Sequence, residues 1–262
     1  MKKTSRRKFV IGILSSIGII GVGAWLSKNS ILQWLMRKEN DQIIDLTSAP
    51  IEMDDICVLT TKVTEGPFYI KSPKRSDIRE IKRGKNLDLK LQFLSYPNCT
   101  PIEGAIVEIW HCDADGTYSG YPEVGHNPWE FLKLAEFGKT THIEPKNETT
   151  FLRGAQITDK DGNVNFKTIL PGWYDPRMPH IHFKAIINGK EEIASELLFE
   201  EEFFNKVFTT TEPYTKYGKS PYGHSNDKVV ATFPDGNGLL LSPKESEDGT
   251  AIASARIGLK MS

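Results

Sequence analysis

The 262-residue sequence has no surplus of charge of either sign: 33 Lys and Arg stand against 34 Asp and Glu, for a formal net charge of −1. Nucleic-acid binding leaves a basic footprint, and none is present. There is no internal repeat and no low-complexity tract, and hydrophobic residues make up an ordinary 39 %. A disordered chain and a collagen-like fibre are therefore excluded. No long apolar run occurs beyond residue 26, which excludes a polytopic membrane protein. Helical patterns are also few, with Trp129–Phe137 and Glu200–Phe208 the best of them. What the chain has instead is 21 Gly and 15 Pro. Many turns of that kind favour β structure.

The first 26 residues differ from the rest. Lys2, Lys3, Arg6, Arg7 and Lys8 precede a stretch from Phe9 to Leu26 that carries no charge. A basic segment before an apolar one reads as an export signal. Ser5–Phe9 (SRRKF) is similar to the twin-arginine signal of bacterial export. A Sec signal and a retained membrane anchor through residues 9–26 are the alternatives, since 18 apolar residues are just enough to span a bilayer. No Cys follows closely, which argues against a lipoprotein. Removing those five positive charges takes the net charge from −1 to −6. Residues 27–54 read as a linker, and 55–262 as a single domain. Export permits a disulfide; among Cys57, Cys99 and Cys112 one bridge is expected, involving Cys57 or Cys99, against the alternative of three free thiols.

Short strands separated by turns dominate the domain. Leu87–Phe93 alternates strictly apolar and polar, the mark of a half-buried strand. Ala105–Trp110, Gln156–Thr158, Val164–Phe166, His180–Ile187, Glu192–Phe199 and Lys228–Phe233 continue the series, with turns at Asp159–Gly162 and Asn188–Gly189. Asp159–Gly162 lacks the further acids of a calcium loop and reads as a hairpin turn. The expected architecture is all-β: a β-sandwich of mainly antiparallel strands with long loops and few short helices.

The chemistry concentrates in Pro171–Phe183 (PGWYDPRMPHIHF). His180 and His182 sit two apart on a strand, so both imidazoles project from one face while Ile181 and Phe183 project into a core. Such a pair makes half of a metal site, although it also occurs among plain surface or core histidines. Tyr174 and Arg177 lie just upstream, and Tyr118 follows the strand that ends at Trp110.

In their order, WHCDADGTYSGY (110–121), TDKDGNVNF (158–166), LPGWY (170–174) and RMPHIHF (177–183) resemble the intradiol ring-cleavage dioxygenases, the catechol and protocatechuate dioxygenase family. The similarity runs from Thr64–Tyr69 to at least Phe199. It implies a non-haem Fe(III), one per chain, held by Tyr118, Tyr174, His180 and His182, and a catechol-type substrate cleaved by O2 between its two hydroxylated carbons. It also implies that Tyr174 is released when substrate binds, and that Arg177 stabilises negative charge on the bound ring. For Arg177 the plainer alternative is a salt bridge, with Asp175 as the nearest acid. Tyr69 is a candidate pocket residue or simply a packed aromatic. The donor types suit the ion: ferric iron favours oxygen anions, and a bound trivalent metal displaces the proton of a phenol whose free pKa is ~10.

Two departures from the family pattern stand out. The spacing from Tyr174 to His180 is shorter than in the catabolic enzymes, which implies a more open cleft. At the position of a frequent pocket Gln this sequence has Glu196, an acid that alters the field around an anionic substrate. Residues 27–54 are too short for the helical dimerisation domain of catechol dioxygenases. Among the other polar residues, His111 reads as structural, Asp113 and Asp115 as turn residues, and His126, His142 and His224 as solvated. Residues 122–150 would form a lid or cover a sheet.

Overall fold

The computed structural model describes residues 59–122, 142–227, 229–232 and 239–260. The export segment, the whole linker (27–54) and the expected helix at 129–137 fall outside these residues, as do Cys57 and His126.

Ten strands build two five-stranded sheets. They are β1 (Asn86–Tyr96), β2 (Thr100–Pro101), β3 (Ile106–Trp110), β4 (Arg153–Ile157), β5 (Asn163–Ile169), β6 (His180–Ile187), β7 (Lys190–Phe199), β8 (Leu240–Leu241), β9 (Lys244–Glu245) and β10 (Ala251–Lys260). One sheet runs β2-β1-β10-β9, with β5 also paired to β1; the other runs β4-β3-β6-β7-β8. Most pairings are antiparallel, as expected. The longest is not: β1 and β10 run parallel from Leu87 opposite Ala251 to Tyr96 opposite Lys260, and β7 and β8 are also parallel.

Period-two alternation separates the faces. Leu87, Leu89, Leu91 and Phe93 of β1 and Val164 and Phe166 of β5 pack inward against Val107 and Ile109 of β3 and Ile181, Phe183 and Ala185 of β6, all within one buried core. Phe93 and Phe183 meet across the two sheets, ring centroids 6.1 Å apart. Each such side chain, fully buried, contributes about 1.5–3 kcal/mol of hydrophobic stabilisation before entropy is counted. The turns follow their chemistry. Asp159 Oδ1 accepts the amides of Asp161 and Asn163 at 2.9 and 2.8 Å. Asn188 and Gly189 both take positive φ (52° and 77°), the tight hairpin that joins β6 to β7.

Among the described residues one α-helix, α1 (Glu201–Thr210), buries Phe204, Val207 and Phe208. Phe208 stacks on Tyr214, whose hydroxyl donates to the Leu170 carbonyl at 2.6 Å. The helix side of the molecule thereby pins the start of the loop that carries Tyr174. Of the strand expected at Lys228–Phe233, the described residues 229–232 form none; Val230–Thr232 is a 3-10 turn. Asp227 is the reason. Its carboxylate accepts the amides of Val229 and Val230 at 3.0 and 3.2 Å, and its carbonyl accepts the amide of Ala231. A side chain that caps a turn in this way withdraws those amides from any strand ladder. Cys99 is disulfide-bonded, and Cys112 is free and buried.

Candidate metal centre

The two histidines of β6 project from the face of their sheet that is turned away from the core, and both are buried at 2 % exposure or less. On that face, cross-strand register sets up a row: Arg153 of β4 lies beside Trp110 of β3, Trp110 beside His182, and His182 beside Glu196 of β7. Trp110 and His182 stack with centroids 5.1 Å apart and planes 5° from parallel.

Two loops bring the tyrosines to the same point. After β3, Asp113 Oδ1 accepts the amides of Asp115 and Thr117, each at 3.0 Å, and turns the chain so that Tyr118 points back over the sheet. After β5, the amide of Gly172 donates to the Asp113 carbonyl at 3.0 Å and joins the two loops. A side chain on Gly172 would collide with Ala114, so this close approach needs glycine. The amide of Tyr174 donates to the Arg177 carbonyl at 3.2 Å, and the amide of Arg177 to the Tyr174 carbonyl. The result is a convergence on His180 Nε2: the Tyr118 hydroxyl at 3.3 Å, the Tyr174 hydroxyl at 3.4 Å and His182 Nε2 at 3.2 Å.

The protonation pattern suits a cation. His180 Nδ1 lies 2.7 Å from the Met178 carbonyl oxygen. A carbonyl only accepts, so Nδ1 carries the proton and Nε2 presents its lone pair. His182 Nδ1 has no hydrogen bond but faces Glu196 Oε1 at 3.6 Å. A carboxylate there favours the proton on Nδ1 and frees Nε2 for the centre. Burial, reinforced by the Arg177 charge, holds the His180 imidazolium well out of reach, and burial takes the His182 pKa down to about 4. Both rings are thus neutral donors at ordinary pH. Burial also pushes both phenols up, that of Tyr118 further still through its neighbour Tyr174. Without a cation the tyrosines keep their protons; a bound metal would displace them.

Arg177 does not pair with Asp175, which instead accepts the Tyr222 hydroxyl. Its Nη1 and Nη2 donate to Glu196 at 3.0 and 2.5 Å, and its Nε donates to Asp227 at 2.9 and 3.2 Å. All three residues are 2 % exposed or less. Burial alone would raise the Glu196 carboxyl, but the Arg177 charge prevails and holds it at about 2. His180, His182 and Glu196 also form a possible metal-binding group on their own. Glu196, however, faces the Nδ1 side of His182, whereas the tyrosines gather at the Nε2 side, and both its oxygens are engaged by Arg177. The four-donor set is the better cage.

The Thr64–Tyr69 segment covers the centre, though not through Tyr69. Gly66 (φ +70°) lies against the His182 ring, and Phe68 packs on Tyr118, with centroids 4.7 Å apart, and on Tyr121. Tyr69 points the other way. Its hydroxyl donates to Glu108 at 3.2 Å, the Lys184 ammonium sits over its ring, and its edge meets Trp110. Asp227, Gly66, Phe68 and Trp110 are contributors that motif reading did not single out. Of these, strand alternation could have found Trp110; nothing local marks Asp227. His111 is structural, donating to the Cys112 carbonyl and accepting from Thr168, both at 2.7 Å.

No family model matches the chain. Chlorocatechol 1,2-dioxygenase of Pseudomonas putida is 24 % identical over 117 residues, 38 % of this chain and 36 % of the relative. Catechol 1,2-dioxygenase 1 of Acinetobacter lwoffii is 23 % identical over 164 residues, 54 % and 46 % of the two chains. The chain thus spans less than half the length of these curated relatives. A solved structure, an intradiol ring-cleavage dioxygenase from Tetranychus urticae, superposes with a TM-score of 0.68 at 28 % identity over 78 % of this chain and 95 % of that one. These comparisons agree in pointing to the intradiol ring-cleavage dioxygenases as the proteins this chain is similar to. The chain shares their sandwich fold, and that family uses non-haem iron. Its donor set fits such an ion: two neutral imidazoles and two phenols, buried, with lone pairs converging on one point.

Proposed function

We propose that this dioxygenase uses Fe(III), one per chain, to cleave a catechol-type ring with O2 between its two hydroxylated carbons. The convergence of Tyr118, Tyr174 and His182 on His180 Nε2 carries the reading. Those four residues would hold the ion. When bound, ferric iron would supply Lewis acidity that draws electron density from a catechol and makes its ring reactive toward O2.

The remaining roles belong to the chain. Tyr174 stands beside Arg177 and would be the donor that leaves; the burial that raises its phenol makes it a ready acceptor for a proton from the incoming catechol. Tyr118 is clasped between Phe68 and the Asp113 turn and stays. Arg177, held by two carboxylates, acts electrostatically on Tyr174 and on negative oxygen that replaces it. Phe68, Tyr121 and Trp110 keep water from the histidines.

The basic and apolar start of the sequence supports export across a bacterial cytoplasmic membrane, with cleavage or anchoring as two versions of the same route. An exported enzyme of this kind would serve the breakdown of aromatic compounds met outside the cytoplasm.

The test is the visible spectrum of the protein loaded with ferric ion, followed by addition of catechol, first without and then with isotopically heavy O2. A red-brown tyrosinate band that shifts with catechol, and a ring-opened diacid carrying both heavy oxygens, are expected. A colourless loaded protein would overturn the reading.

A further inference from the structure

We propose that Glu196 sets the substrate class of this centre, selecting neutral catechols over catechols that carry a carboxylate. The inference rests on the ring-cleavage reading above and narrows it.

A lone buried arginine beside the centre would attract an anionic substituent. Arg177 is not alone. Glu196 takes both its terminal nitrogens and Asp227 its Nε, and all three side chains are closed off from water. One cation and two carboxylates leave a formal charge of −1 behind the histidines. The other buried cations on this face are also committed. Lys184 is bound to Glu65 and lies over Tyr69. Arg153 donates to Ser119 and to the Phe68 carbonyl at 2.6 to 3.0 Å, with Glu108 acting on it from nearby. Arg153 keeps one buried nitrogen, Nη1, without a hydrogen bond, but Trp110 stands between it and His182 in the cross-strand row. Across the face, Arg153, Arg177 and Lys184 are opposed by Glu65, Glu108, Glu196 and Asp227, again one negative charge in excess.

The charge of Glu196 reaches the Tyr174 hydroxyl, where substrate would enter, and it acts there against Arg177. Glutamine has the same shape without the charge. Removing one unit charge at about 7–10 Å, at an effective dielectric near 20, changes the binding of an anion roughly ten- to a hundredfold. Glu196 is therefore a specificity-determining residue whose effect falls on charged substrates far more than on neutral ones.

The test uses the iron-loaded protein under anaerobic conditions, titrated with catechol, with 3,4-dihydroxybenzoate and with the methyl ester of that acid, and followed by the shift of its visible band. Catechol and the ester should bind at least tenfold more tightly than the acid, on the principle of one opposed buried charge. In Glu196→Gln that gap should close by about tenfold or more, through tighter binding of the acid. Equal binding of acid and ester by the wild-type protein would overturn the inference. So would a gap unchanged in a variant that keeps its iron, or exclusion of the ester together with the acid, which would mean size rather than charge. A preference for the acid would also overturn it and assign the carboxylate to Arg153. Should Glu196→Gln fail to fold, the ester and acid pair still decides the matter in the wild type. Ring opening in air is scored separately: catechol bound but not cleaved would sink the dioxygenase reading while leaving the charge selection standing.

Discussion

Gly66 lies against the Cε1–Nε2 edge of the His182 imidazole: a β-carbon built on it would stand 3.1 Å from His182 Cε1 and 3.5 Å from Nε2, and its backbone φ is +70°. Space and conformation both demand glycine there. Gly66→Ala would push on the edge of a ring whose face is stacked on Trp110, and would strain the backbone by about 1 kcal/mol. The expected result is a folded protein with a modestly lowered melting temperature and at least tenfold weaker iron retention, read by metal analysis after dialysis against a mild chelator. Full retention would mean that the segment merely covers the centre without setting the ring.

Asp227 joins two loops. It receives Arg177 Nε and the Met178 amide from one, and the Val229 and Val230 amides from its own turn. Asp227→Ala would leave a buried guanidinium half compensated and three amides without their acceptor, a loss of about 3–5 kcal/mol. Asp227→Asn keeps a capping oxygen and should cost less. Denaturant melts of the two variants should rank in that order, and catechol turnover should fall in both because Arg177 loses its orientation.

The sandwich and the His180/His182 pair were legible because strict alternation is a strong signal: Ile181 and Phe183 face the core and the histidines face away, as period two dictates. Strand β10 was harder to see. Its inward positions include Ala251 and Ala253, small residues that give little contrast with their neighbours, and its parallel partner β1 lies far away in sequence. Lys228–Phe233 misled for the opposite reason, since a short β-branched run reads as strand until the capping by Asp227 is known. The charge arrangement around Arg177 was beyond local reading altogether. Asp227 is fifty residues away in sequence and carries no motif, whereas Asp175, two residues away, is engaged by Tyr222.

Tyr118 is a closely packed donor. Its ring is buried at 1 % exposure and packs against both Phe68 and Tyr174. Tyr118→Phe removes one oxygen and leaves that packing in place, so stability should change by no more than about 1 kcal/mol. Iron content and the tyrosinate band should nevertheless be lost. An unchanged melting curve with absent iron isolates the ligand role from folding. A variant that retains full iron and full activity would remove Tyr118 from the donor set.

The buried histidines predict an acid-sensitive metal-free protein. Burial lowers the pKa of His111 and of His182 to about 4, against an ordinary value of 6.5, and also takes His180 well below that ordinary value. Between those values the unfolded chain binds protons that the folded chain refuses. Folding stability is therefore complete above about pH 6.5 and falls as pH drops toward 4, by about 1.4 kcal/mol per pH unit for each such histidine. Glu196, held at about 2 by Arg177, adds a loss in the same direction that begins lower, below its ordinary 4.5. Denaturant midpoints of the metal-free protein measured across this range should fall steadily toward acid. Ferric loading should raise the midpoints most near neutral pH, where neutral imidazoles and displaced phenolic protons favour the ion. A flat profile would mean that these histidines titrate in the fold as they do in the unfolded chain, and the neutral-donor description of the centre would fail with it.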